Sequence, residues 1–108
     1  MSDLLSGERR DIAAAANCEE LSKLKAEGYN MLVDLTCVDY KPQAKTPRFD
    51  IVYRLMKLDA ATGQDLGRLE VHCAVDEAPI LRSVKDLWPA ADWLEREVWD
   101  MFGVKFAD

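Results

Sequence analysis

Gly67-Arg68-Leu69-Glu70-Val71-His72-Cys73-Ala74-Val75 alternates without a break. Leu69, Val71, Cys73 and Val75 fall on one side of an extended chain, and Arg68, Glu70 and His72 fall on the other. That is the pattern of a half-buried strand. The same period recurs twice upstream. Within Arg48–Leu58, Phe49, Ile51, Tyr53 and Leu55 share a face opposite Asp50, Val52, Arg54 and Met56. Within Met31–Tyr40, Met31, Val33, Leu35 and Cys37 alternate with Leu32, Asp34, Thr36 and Val38, as in a strand with one face fully apolar. The first two strands are separated by Lys41-Pro42-Gln43-Ala44-Lys45-Thr46-Pro47, a loop by its prolines. The last two are separated by Asp59–Gly67, where two glycines turn the chain back. Three neighbouring strands with short links predict an antiparallel meander.

Helical periods lie on both sides of this block. Asn17, with Glu20 three residues on, fits an N-cap, and Cys18, Leu21 and Leu24 then recur on one face until Gly28 ends the segment. Before it, residues 1–11 form a polar, frayed start. Ile12–Ala16 suits a helix by its alanines or a short edge strand. After the strands, Asp76–Arg82 is a crossing with Pro79, and Ser83 with Asp86 opens a short helix that Pro89 stops. The chain closes on Asp92–Phe106. Leu94, Val98, Met101 and Phe102 stand at i, i+4, i+7 and i+8, one apolar stripe. Asp92 and Glu95 resemble a capping box. Gly103 suits the left-handed residue after a helix end, with Val104 folding back onto Trp99. The expected fold is α+β. A three- to four-stranded antiparallel meander carries helices on one face, in the order helix, strand, strand, strand, short helix, helix, as one domain over residues 1–108.

The totals narrow the function. A chain of 108 residues supports one modest core. Its 20 acidic against 14 basic residues leave a net charge of −6, which argues against a phosphate backbone as partner. No apolar run approaches the roughly 20 residues that cross a bilayer, and no secretory signal opens the chain. Cys18, Cys37 and Cys73 contain no Cys-x-x-Cys pair. They read as free thiols of a cytoplasmic protein, with Cys37 and Cys73 as small inward-facing hydrophobes.

Few residues offer chemistry. His72 neighbours Cys73, but adjacent strand residues point to opposite faces and cannot readily share one ion. Glu95 and Glu97 stand about 200° apart around a helix and do not converge. No histidine, serine nucleophile or glycine-rich loop stands beside them. Catalytic, cofactor-binding and metal residues are therefore expected to be none. What remains is a helix in which four acids and one arginine surround two tryptophans. It is either a solvated, salt-bridged face or a docking surface, since Trp and Arg anchor interfaces.

Glu95-Arg96-Glu97-Val98-Trp99-Asp100-Met101-Phe102-Gly103-Val104 closely resembles the signature of the C subunit of the proton-pumping NADH-quinone oxidoreductase, respiratory complex I. Similarity extends to Ser83-Val84-Lys85-Asp86-Leu87-Trp88-Pro89-Ala90-Ala91-Asp92-Trp93, to Leu35-Thr36-Cys37-Val38-Asp39-Tyr40 and to Arg48-Phe49-Asp50-Ile51-Val52-Tyr53-Arg54-Leu55. The resemblance covers nearly all the chain from Leu21 on. It implies a hydrophilic-arm subunit without a redox centre or cofactor, which holds a subunit-D-like protein and neighbouring arm subunits where D and B build the quinone site. It further implies a cytoplasmic place, peripheral to the inner face of the cell membrane and reached only through the complex. Carried over by position, Glu95, Arg96, Glu97 and Asp100 would fix the helix and its contacts, and Trp93, Trp99 and Phe102 would supply packing. The family continues past the position of Phe106 with a His-Pro-Asp-Leu-Arg-type tail, whereas this sequence ends at Asp108. Either the chain is truncated there or it is a short form, and short forms resemble the equivalent accessory subunit of an energy-converting, membrane-bound nickel-iron hydrogenase. A stand-alone ligand-binding domain is the third reading.

Overall fold

The computed structural model describes residues 8–43, 46–76 and 80–107. Its main sheet has four strands: β1 (Glu8–Ile12), β2 (Met31–Asp39), β3 (Phe49–Leu58) and β4 (Asp65–Val75). Their spatial order is β1-β4-β3-β2. β2, β3 and β4 form the antiparallel meander, with Leu35 opposite Tyr53 and Tyr53 opposite Val71. β1 joins parallel to β4, pairing Arg9 with Glu70 and Asp11 with His72. The sheet is therefore mixed, which corrects the expectation of a purely antiparallel one. The strand also corrects the frayed start: residues 8–11 are paired, while residues 1–7 lie outside the described residues. A charged segment can hold this place because an edge strand needs only backbone partners and one tolerable face. Arg9 and Asp11 neutralise each other at 3.0 Å.

Two helices complete the core. α1 (Asn17–Ala26) follows a 3₁₀ turn at Ala14–Ala16, and α2 (Ala90–Phe102) starts after Pro89. A two-stranded parallel sheet, β5 (Ile80–Arg82) with β6 (Lys105–Ala107), stands where a crossing was expected. Pro79 of that crossing lies outside the described residues. The inward faces read from the alternation hold for β3 and β4: Phe49, Ile51, Tyr53, Leu55, Leu69, Val71, Cys73 and Val75 are all buried. In β2 a bulge between Leu32 and Asp34 breaks the alternation. Beyond the bulge Leu35 and Cys37 lie on the inward side as expected, but before it Leu32 turns inward while Met31 and Val33 are exposed. An extra residue in one strand does this, because it re-phases every side chain beyond it. From α1, Leu21 and Leu24 enter the core; from α2, Ala91 and Val98.

Two capping expectations change. Asn17 is not an N-cap, because the 3₁₀ turn brings Ala16 to that position with no side-chain bond. Instead Asn17 is buried. Its amide donates to the Arg82 carbonyl at 2.8 Å, and its carbonyl accepts from the Arg82 N–H at 3.4 Å. Ser83–Pro89 forms a single turn rather than a helix: the N–H groups of Leu87 and Trp88 both reach the Val84 carbonyl. Trp88 is buried there, its indole N–H donating to the Tyr29 carbonyl at 3.1 Å. At the far end of α2, Gly103 has φ 72°, the left-handed cap expected. Its N–H donates to the Trp99 carbonyl at 2.9 Å, and Val104 is fully buried beyond it.

Candidate functional site

α2 divides around its circumference. Ala91, Glu95 and Val98 form the buried face, and Phe102 packs partly against it. Phe102 meets Phe49 edge to face, with ring centres 6.5 Å apart. Such a pair is worth about 0.5–1.5 kcal/mol beyond its buried area. Met101, read as part of the apolar stripe, is 75% exposed. The stripe read from the sequence lies to one side of the true one, because the buried face is centred on a carboxylate. Glu95 is only 5% exposed. Its Oε1 accepts from the Ser83 hydroxyl at 2.6 Å and its Oε2 from the Val84 N–H at 2.9 Å. Glu95 thus ties α2 to the turn after β5 and is no member of a capping box. Burial raises its pKa above the usual glutamate value, against the lowering effect of these two bonds.

The other residues of the motif face outward. Trp93 is 67% exposed and Trp99 51% exposed, so neither packs into the core of the described residues. Glu97 and Asp100 are exposed as well. Arg96 is exposed and lies 3.5 Å from Asp92. An exposed pair of this kind adds little to stability. Trp93 and Met101, eight residues apart, share one flank by the helical period, and Trp99 lies toward the opposite flank. On that second flank Asp92, Arg96 and Trp99 face β6 across a groove of about 400 Å³, closed by Ser83, Lys85, Lys105 and Phe106. The aromatic and charged residues named by the motif therefore share one helix but not one surface. Lys105 and Phe106 were missed as site residues. Their signal was Gly103: a left-handed cap reverses the chain, which must then run back beside the helix.

Elsewhere His72 and two of the cysteines are held within the fold. His72 lies on the face of the sheet away from the helices. Its Nδ1 is 2.6 Å from Asp50 and its Nε2 is 2.6 Å from Glu70. The two carboxylates stand at opposite ends of the ring and do not converge on one point. Contact with His72, then Arg54, holds Glu70 below the usual carboxylate range. Burial pushes the Cys37 thiol up to about 12 and the Cys73 thiol to about 11, which disfavours thiolate chemistry at neutral pH. Among the described residues, no group of three or more His, Cys, Asp or Glu side chains is placed to hold a metal ion. No described helix is long and apolar enough to cross a membrane.

A small α+β domain with an outward-facing aromatic helix is the class this geometry defines. Residues 10–108 match the family described as respiratory-chain NADH dehydrogenase, 30 Kd subunit. The chain belongs to that family. It is 42% identical over 91 residues to NADH-quinone oxidoreductase subunit 5 of Thermus thermophilus, covering 82% of this chain and 44% of that protein. It is 38% identical over 90 residues to an NADH-quinone oxidoreductase C subunit of Rhizobium etli, covering 83% of this chain and 44% of that protein. The chain thus spans less than half the length of these curated relatives. Among solved structures, the trypsin-resistant fragment of Nqo5 superposes with a TM-score of 0.81 at 37% identity, covering 91% of this chain and 76% of that one.

Proposed function

We propose that this chain, as one domain of the C-subunit type, is a non-catalytic peripheral-arm subunit of a proton-pumping NADH-quinone oxidoreductase. In this reading it holds a subunit-D-like neighbour through α2 and braces the region where the D and B subunits form the quinone site. It sits on the cytoplasmic side and reaches the membrane only through the complex. The names of its relatives and its family support the choice of complex.

The observation that carries the reading is the exposure of Trp93, Trp99 and Met101 on a helix whose other side is firmly held. Large apolar side chains standing exposed among charges are the composition of an interface, here spread over two flanks of one helix. Stability gives no reason for two tryptophans to face water.

The test is recovery of partners from native membranes with tagged chain. Wild type should bring down a subunit-D-like protein, and a Trp93→Ala/Trp99→Ala double variant that melts like wild type should not. Equal recovery by both would remove α2 from the interface. Recovery of a nickel-iron hydrogenase subunit instead would move the chain to the hydrogenase branch.

A further inference from the structure

Glu97 stands between the two exposed apolar side chains of the outer flank. Trp93, Glu97 and Met101 follow one another at i, i+4 and i+8, so they form one line along α2. Asp100, three residues on from Glu97, lies beside it. Both carboxylates are exposed, and neither has an ion pair or a side-chain hydrogen bond among the described residues. The one cation of α2, Arg96, is engaged with Asp92 at 3.5 Å. Neither Glu97 nor Asp100 therefore has its charge answered along the helix.

This order constrains whatever covers the helix. A partner that takes Trp93 and Met101 out of water must also cover Glu97, which lies between them. A carboxylate that loses its water without gaining a counter-charge is costly. A purely apolar surface would strand the acid, and an acidic one would repel both carboxylates. A cationic side chain satisfies the pair and at the same time lies on the exposed indole of Trp93, an arrangement that cations favour.

We infer that the Trp93–Met101 flank of α2 receives a basic, apolar-bearing surface of the protein partner, with a cationic side chain over Glu97 and Asp100 and against the Trp93 ring. This rests on the reading of α2 as a docking helix and adds the chemistry of what that helix meets.

The experiment is recovery of the subunit-D-like protein from native membranes with the full tagged chain, each variant first checked to melt like wild type. Glu97→Gln removes the charge and keeps the shape, and Glu97→Lys reverses it. Glu27→Lys makes the same change of net charge at an exposed site just after α1. Glu97→Lys should lower recovery by about tenfold or more and Glu97→Gln by a few-fold, while Glu27→Lys recovers as much as wild type. Added salt should weaken capture by wild type more than capture by Glu97→Gln. Full recovery by either Glu97 variant, or an equal loss in Glu27→Lys, would overturn the inference. The double Trp variant separates the two levels. If it loses capture while Glu97→Lys does not, the docking helix stands and the cationic contact falls. If neither loses capture, the docking helix falls as well.

Discussion

The two sides of α2 use the same residue types for opposite ends. On the inner side an acid, Glu95, is buried and bonded twice within the chain; on the outer side acids at 92, 97 and 100 lie open to water. The tryptophans divide likewise. Trp88, in the turn before the helix, is buried and bonded to Tyr29, whereas Trp93 and Trp99 are exposed. Residue type alone therefore does not tell which members of the motif make the fold and which are left for something else. Position around the helix does, since it decides which groups lose water and must be satisfied from within.

Substitution can break this contrast, and the largest effect belongs to the buried tryptophan. Trp88→Ala should cost about 3–5 kcal/mol in urea unfolding, since it leaves a cavity and frees the Tyr29 carbonyl. Glu95→Ala comes next, at about 2–3 kcal/mol, because it strands the Val84 N–H and the Ser83 hydroxyl. An unfolding midpoint equal to wild type in either variant would erase the inner side of the comparison.

The acidity of Glu95 sharpens the point by a smaller effect. Its folded pKa is raised above the ordinary 4.5, so between those two values the folded chain binds more protons than the unfolded one. Stability should therefore fall as pH rises through that window and level off above it. Glu95→Gln has no such proton to lose. The difference in unfolding midpoint between the two proteins should change across the window and stay constant outside it. Smallest of all, Arg96→Ala and Trp93→Ala should each move stability by less than about 0.5 kcal/mol. A large loss of melting temperature in either would mean that the outer side serves the fold after all.

What could be read in the sequence follows from length of pattern. β3 and β4 are 10 and 11 residues long and keep strict alternation, so their inner faces were legible residue by residue. β5 and β6 have three residues each, too few to show any period. β1 reads Glu-Arg-Arg-Asp-Ile, whose charges resemble a loose terminus until a neighbouring strand is supplied. The bulge in β2 hides because inserting one residue among Met31, Leu32 and Val33 leaves them all apolar. At the site, Gly103 announced the end of the helix, and the aromatic and charged composition announced an outward role. Glu95 could not be recognised as the buried member, because its partners Ser83 and Val84 come from a turn whose placement depends on the whole fold.

β1 has one more consequence, for how the chain behaves in a crowded solution. It lies along Leu69–Cys73, the middle of the longest strand, and occupies hydrogen-bonding groups that would otherwise face outward. Without its first dozen residues the chain would present that row as an open template, on which a second molecule could add as a strand. A short, charged segment that contributes little to the core thus acts as a selvedge, keeping neighbouring copies from knitting together.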